Sequence, residues 1–259
     1  MNIRDRIVLI TGASSGIGAV TAHELARHGA TVVLAARRAD QLRALADEIE
    51  RAGGRALAVP TDVARRDEID RLVQTTIDTY GRVDVLINNA GIGDGTDVVA
   101  SDDADLVKIV TINLLAPARC IQAVVPHMRR QGGGAIINIG SVAGEIGVSG
   151  LYSGTKFGLR GLNDSLAREL RRYNIAVVLI APGYIRTPLT EGINVPMPGP
   201  EVVARAIVAA IRRPRRKIFV PWYYAPLAYI AKLTPWLLDR IVARQAVPQP
   251  DRRDRKSTS

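Results

Sequence analysis

Short apolar runs alternate along this chain with longer stretches of helical spacing. Arg6–Thr11 (RIVLIT) is nearly all apolar and ends at a glycine-rich turn. Comparable runs recur at Thr31–Ala36, Ala56–Pro60, Val83–Asn88, Ala135–Gly140, Ile175–Ala181 and Lys217–Val220. Such short, uniformly apolar segments read as strands buried on both faces. Between them, Ala39–Ala52, Asp67–Tyr80, Asp102–Arg130 and Pro200–Arg212 repeat apolar residues every three or four positions, as helices do. Strands alternating with helices predict parallel βαβ units, so the expected fold class is α/β, a doubly wound parallel sheet with helices on both faces. The pattern has no internal repeat, and its breaks before position 211 are loop-sized. The expected organisation is one catalytic domain over 1–220 and a C-terminal extension over 221–259. Within the extension, 221–247 is aromatic and basic, while 248–259 is charged, poor in apolar residues and expected to be disordered.

Composition adds two points. At 259 residues, 47% hydrophobic, with a mean hydropathy of +0.08, the chain can bury a substantial core. The net charge of +10 is unevenly placed: residues 1–211 carry 23 Lys+Arg against 22 Asp+Glu, and residues 212–259 carry 12 against 3. The body is therefore electrostatically ordinary, and the tail points to an acidic surface, either lipid headgroups or nucleic acid. Met1–Asp5 leads into the first strand without an apolar leader, which predicts a cytoplasmic chain. The single cysteine, Cys120, lies in an apolar run and reads as a buried thiol.

The chemistry concentrates at Tyr152 and Lys156, four residues apart at the start of an expected helix, with Ser141 shortly upstream. Four residues is about one helical turn, so the phenol and the ammonium project from one face. A phenol of pKa about 10 is a poor base at neutral pH. A cation beside it favours the phenolate and brings proton exchange with an alcohol or ketone within reach. A second signal is Thr11-Gly12-Ala13-Ser14-Ser15-Gly16-Ile17-Gly18, which joins the first strand to the first helix. Glycines there let the backbone approach a pyrophosphate, and the helix N-terminus offers N–H groups and positive dipole. The second strand ends Ala36-Arg37-Arg38, where a cofactor without a 2′-phosphate would call for a carboxylate. Two guanidinium forks suit a phosphate, and this favours NADP(H) over NAD(H).

With TGASSGIG at 11–18, Asn88-Asn89-Ala90-Gly91, Asn113, Ser141, Tyr152-Ser-Gly-Thr-Lys156 and Pro182-Gly183 in order, the chain resembles the short-chain dehydrogenase/reductase family over residues 5–220. The resemblance implies a Rossmann-type fold and hydride transfer between a nicotinamide and a carbonyl or alcohol. It implies Tyr152 as general acid/base, Lys156 as its modulator and a ligand of the nicotinamide ribose, and Ser141 as the holder of the substrate oxygen. Asn113 would anchor a water in the proton relay. Gly12, Ser14, Ser15, Gly16, Ile17 and Gly18 would cradle the pyrophosphate, with Arg37 and Arg38 at the adenosine phosphate. Asp62 and Val63 would meet the adenine, and Asn89, Ala90 and Gly91 would run along the adenosine ribose. Pro182, Gly183, Ile185 and Thr187 would hold the nicotinamide end. One of Asn88 and Asn89 is expected to satisfy backbone groups instead. Two features depart from the family pattern: only ten residues separate Ser141 from Tyr152, and the glycine-rich ending of many tetrameric members is missing. A homodimer through the helices at 102–130 and 152–172 is the expected assembly.

Tyr184–Gly199 falls where the family places a mobile substrate loop, and its prolines, glycines and aliphatic residues suggest a cover with an apolar underside. This favours a hydrophobic carbonyl or alcohol of steroid, retinoid or fatty-chain type. Both tryptophans and six of the eleven aromatics fall within 219–236, just after Arg212, Arg213, Arg215, Arg216 and Lys217. Residues 212–236 therefore either sit at an anionic membrane surface or pack on the protein. The leading function is an NADP(H)-dependent oxidoreductase. The alternative is a catalytically silent nucleotide-sensing or scaffold protein of the same fold, which would not need all four of Asn113, Ser141, Tyr152 and Lys156. A nucleic-acid partner ranks last, because the tail lacks the aromatic order of an RNA-binding module.

Overall fold

The computed structural model describes residues 1–93, 98–237 and 239–240; the expected disordered end, 248–259, and the other residues beyond 240 lie outside them. Seven strands form one sheet: β1 (Ile7–Thr11), β2 (Thr31–Ala36), β3 (Arg55–Pro60), β4 (Val85–Asn88), β5 (Gly134–Ile139), β6 (Ile175–Pro182) and β7 (Lys217–Val220). All pairings are parallel, in the order β3-β2-β1-β4-β5-β6-β7. The expected α/β doubly wound class is thus observed, with strands where the apolar runs placed them.

Two layers of helix cover the sheet. On one side, α1 (Gly16–Arg27), α2 (Ala39–Arg51) and α7 (Glu201–Arg212) bury Leu25, Leu42, Ile49, Ile207 and Ile211 against Val8 and Ile10 of β1. On the other, α3 (Arg66–Tyr80) and α5 (Ala116–Arg130), which follows α4 (Asp103–Val110), bury Ile69, Leu72, Val124 and Met128 against Ile7 and Leu9. Successive residues of a strand face opposite sides, so an all-apolar β1 feeds both cores. The helix α6 (Gly150–Glu169) joins this second layer through Leu166, and α8 (Tyr224–Leu233) follows β7. By length and composition Asp103–Arg130 could cross a bilayer. Its buried residues Ile109, Ile112, Ala116, Val124 and Met128 are instead packed within the protein.

The strand order reverses between β1 and β4. At such a point neighbouring crossovers run to opposite faces and leave a crevice at the carboxyl ends of the strands. Thr11 and Gly12 leave β1 there, and Asn88 and Asn89 leave β4 there.

Candidate active site

The glycine turn is shaped by what it excludes. Gly12 and Gly16 have φ of 64° and 56°, a region that a side chain makes costly. A Cβ on Gly12 would lie 2.8 Å from Ala90 Cα, and one on Gly18 2.3 Å from the Gly12 carbonyl oxygen. The turn is therefore bare backbone pressed against the end of β4. Ser15 precedes α1 without a side-chain cap, and the first helical turn has no acidic residue. Its N–H groups and dipole thus face the crevice without side-chain neutralisation. Arg38 lies over this turn, donating through Nη2 to Ser14 Oγ at 3.0 Å and to Ser15 Oγ at 2.9 Å; Arg37 is exposed beside it. A narrow cradle, an uncapped helix start and a guanidinium together fit a phosphate-bearing dinucleotide.

The end of β4 is tied to the same turn. Thr11 Oγ1 accepts from the N–H groups of Asn89 and Ala90, both at 3.1 Å. Asn89 Nδ2 donates to the carbonyls of Thr11 and Gly12, both at 3.0 Å. The Asn89 amide therefore braces the turn. Asn88 donates to Asn138 Oδ1 at 2.9 Å, and Asn138 donates to Asn163 Oδ1 at 3.0 Å. Asn89 thus satisfies backbone groups, as expected of one of the pair, while Asn88 pairs with a side chain. Asp62 Oδ1 accepts from Ala64 N at 3.0 Å, and Val63 is buried with Ile112 and Ala116.

The stretch expected as one helix over 102–130 is interrupted. Thr111–Leu115 forms a π-turn, with the Ala116 N–H bonded to Thr111 O. Pro117, lacking an N–H, cannot close the ordinary bond to the Asn113 carbonyl four residues back. Turns of this kind are frequent at functional positions. Asn113 is fully buried in it, accepting from Ile92 N and donating to Ile92 O, both at 2.9 Å, with Thr155 Oγ1 at 3.3 Å.

Lys156 comes to the same place from α6. It is 5% exposed, donates to Ile139 O at 3.0 Å and holds its Nζ 5.6 Å from the centre of the Tyr152 ring. Burial lowers its pKa from 10.5 to about 8. A Cβ on Gly91 would sit 3.4 Å from Asn113 Oδ1 and 3.6 Å from Lys156 Nζ, so this glycine faces both. Ser141 caps the short helical turn Val142–Gly144, its Oγ accepting from Ala143 N at 3.1 Å. A Cβ on Gly144 would lie 2.7 Å from the Lys156 carbonyl oxygen, so the serine turn packs on α6 at the lysine. Cys120 is buried, and burial pushes its thiol up to about 12, which leaves it inert.

Beyond β6, Gly183 donates to Val220 O at 2.9 Å, and a Cβ there would fall 2.1 Å from an atom of the Tyr224 ring. Ile185 is buried, and Thr187 begins the short turn Pro188–Thr190. The segment lies down over the crevice: a Cβ on Gly16 would be 3.4 Å from Thr187, and one on Gly93 3.3 Å from Leu189 Cδ1. Ile185 turns inward, whereas Leu189, Ile193 and Val195 are exposed, Leu189 beside Gly93. A cavity of about 600 Å³ opens at the opposite, amino-terminal ends of the strands, near Asp84 and Gly134, away from all these residues.

Five residues at this end of the sheet were missed by sequence reasoning: Asn138, Asn163, Glu145, Thr155 and Tyr224. A polar residue inside the apolar run Ala135–Ile139 was a usable signal for Asn138. The others depend on long-range contacts.

The chain matches the short chain dehydrogenase family over residues 6–197. It belongs to that family. Among its relatives, an oxidoreductase of Bacillus subtilis, YxnA, is 34% identical over 261 residues, spanning 93% of this chain and 72% of the relative. A 3-oxoacyl-[acyl-carrier-protein] reductase of Synechocystis is 41% identical over 192 residues, spanning 73% of this chain and 78% of the relative. A metagenomic short-chain oxidoreductase in complex with NADP superposes with a TM-score of 0.76 at 34% identity, over 84% of this chain and 97% of the other. A short-chain dehydrogenase/reductase of Mycobacterium marinum gives 0.79 at 30% identity, over 84% and 94%. The short-chain dehydrogenase assignment makes the chain an oxidoreductase of Rossmann-type fold.

Proposed function

We propose that this short-chain dehydrogenase is an NADP(H)-dependent enzyme that interconverts a hydrophobic carbonyl compound and its alcohol, with Tyr152 as the acid/base. The observation that carries this reading is the buried Lys156 ammonium beside the Tyr152 ring, at the crevice that the glycine turn also lines. The bound nicotinamide would supply or accept the hydride; the protein handles the proton and the positioning. In reduction Tyr152 gives its phenolic proton to the carbonyl oxygen, and in oxidation it takes one back. Lys156 stabilises the phenolate that remains. Its pKa near 8 lets the ammonium pass a proton onward under mildly alkaline conditions. Ser141 Oγ accepts from Ala143, so its own hydrogen is available for the substrate oxygen. Asn113 fixes the Ile92 backbone and with it the strand exit at Gly91, next to Lys156; the water of the proposed relay would be anchored at this residue.

The pyrophosphate would rest on Gly12, Ser14, Ser15, Gly16, Ile17 and Gly18, with Asp62, Val63, Asn89, Ala90 and Gly91 along the adenosine, and Pro182, Gly183, Ile185 and Thr187 at the nicotinamide. Arg38 is the stronger candidate for the 2′-phosphate, because it is already drawn over Ser14 and Ser15, and Arg37 is the second. A fatty-chain carbonyl fits the exposed aliphatic residues of the substrate loop and the 3-oxoacyl-[acyl-carrier-protein] reductases among the relatives. Val107 and Leu115, exposed on α4 and the π-turn, support a homodimer through these helices in a cytoplasmic enzyme.

The same reading includes reversible attachment to an anionic lipid surface. Leu227, Ile230, Leu233 and Trp236 recur every three residues along the outer side of the C-terminal segment and are exposed, as is Trp222. Exposed Arg212, Arg213, Arg215 and Arg216 precede them. The functional test is NADPH oxidation across a panel of 3-oxoacyl thioesters, long-chain ketones, and steroid and retinoid carbonyls. Nucleotide binding without turnover of any of them would favour a silent sensor.

A further inference from the structure

Glu145 is 2% exposed, and three cations converge on its carboxylate. Arg160 Nη1 and Lys217 Nζ each donate at 2.8 Å, and Lys232 Nζ donates to the same group. A buried carboxylate persists only with such compensation. Burial works against its ionised form, but the hydrogen bonds from Lys217 and Lys232 and the nearby Arg160 charge hold its pKa below the ordinary value. The three cations come from α6, β7 and α8. Glu145 itself directly follows the turn that Ser141 caps, its N–H donating to Val142 O at 2.8 Å.

The other end of α8 is fixed as well. Tyr224 packs against Gly183, and its hydroxyl accepts from Tyr184 N at 3.3 Å. Ala228, one turn on, is buried. So α8 is held by an aromatic ring at the end of β6 and by an ammonium at the turn after β5. β5 and β6 are adjacent, and their carboxyl ends carry Ser141 and Gly183. The Tyr229 ring lies 6.4 Å from the Phe219 ring and 6.0 Å from Lys217 Nζ, so α8 runs back along β7, and its Tyr224 end is the part that meets the crevice, at Gly183.

We propose that Glu145 is a positioning residue that clamps α8, through Lys232, and so holds the Tyr224 end of the helix as a wall of the substrate crevice at Gly183. This rests on the oxidoreductase reading above. The wall sets how tightly the organic substrate is held, while the pyrophosphate and adenosine of the nucleotide, placed at β1 and β4, lie away from it.

Lys232→Met is the informative variant, because Glu145 keeps Arg160 and Lys217 and the fold is not left with an unpaired buried charge. Two readouts are combined on the full chain: amide hydrogen exchange over residues 224–233, and steady-state kinetics with NADPH and the N-acetylcysteamine thioester of 3-oxodecanoate. In Lys232→Met, exchange in α8 should rise about tenfold or more and KM for the thioester about tenfold, with kcat and the NADPH dissociation constant within about twofold. Lys232→Arg should restore both readouts, and Glu145→Gln should reproduce the loss. Unchanged exchange would overturn the clamp. Faster exchange with an unchanged thioester KM would overturn the wall. A wild-type chain that binds NADPH but turns over no carbonyl would overturn the functional reading and with it the wall, while the exchange experiment would still decide the clamp.

Discussion

Lys156 donates to the main-chain oxygen of Ile139 at 3.0 Å, so an ammonium that is almost completely buried is fixed by the last residue of the neighbouring strand. The bond supplies direction but only part of the hydration lost on burial, which is why the lysine pKa falls to about 8. Below pH 8 the group is protonated in both folded and unfolded chains, and the folded state bears the whole cost. Between pH 8 and 10.5 the folded chain releases the proton first, so stability from this group rises with pH. The cost below pH 8 is on the order of 3 kcal/mol. Lys156→Met removes it and loses one hydrogen bond of about 1 kcal/mol. The nucleotide-free variant should therefore be more stable than the parent by about 2 kcal/mol at pH 7, with the gap closing by pH 10. It should also be inactive. Urea unfolding at the two pH values checks this; a variant less stable at pH 7 would show that the ammonium is fully compensated.

Tyr152→Phe keeps the ring beside Lys156 and removes only the proton that is exchanged. Turnover should fall by about 10²- to 10⁴-fold while NADPH binding stays within about threefold. Near-normal kcat in the phenylalanine variant would reject the proton-transfer role.

Cofactor choice should follow Arg38. A charge-assisted hydrogen bond to a phosphate contributes about 1.5–3 kcal/mol, so Arg38→Leu should weaken NADPH by roughly ten- to hundredfold and leave NADH little changed. Ala36→Asp with Arg37→Leu should move the preference toward NADH by adding a carboxylate for free ribose hydroxyls. Equal use of both cofactors by the unaltered chain would count against this assignment.

The outward residues of the C-terminal segment predict salt-sensitive attachment to lipid. Each basic residue at an anionic leaflet contributes about 1 kcal/mol, so the four arginines at 212–216 are enough for reversible binding. Co-sedimentation with phosphatidylserine vesicles should be strong at low ionic strength and lost at high. It should weaken when Leu227, Ile230 and Leu233 are changed to serine. If the folded chain stays in the supernatant at low salt, this face serves some other contact.

Local spacing carried most of what could be read in advance. Each strand is a contiguous apolar run, and Tyr152 and Lys156 meet because one helical turn brings them together, so both were legible without tertiary information. The π-turn at Thr111–Leu115 was not, because one extra residue within a continuous apolar stretch barely disturbs the periodicity, and Pro117 was its only hint. Arg37 and Arg38 are equivalent by composition; the folded turn distinguishes them, since Arg38 reaches Ser14 and Ser15. Glu145 was illegible for a different reason. Its partner Lys232 lies 87 residues away and was counted only as part of a basic tail.

The amide chain from Asn88 through Asn138 to Asn163 has a consequence for how the sheet is assembled. Asn88 and Asn138 are register partners across β4 and β5. A slip of one residue between these strands would turn one amide to the opposite face of the sheet and leave the other buried without a partner. Two asparagines in otherwise apolar strands therefore act as an assembly check, selecting one alignment where isoleucines and leucines alone would tolerate neighbouring ones. Gly91 and Ser141, which follow these strands within a few residues, have their relative heights set by the same check.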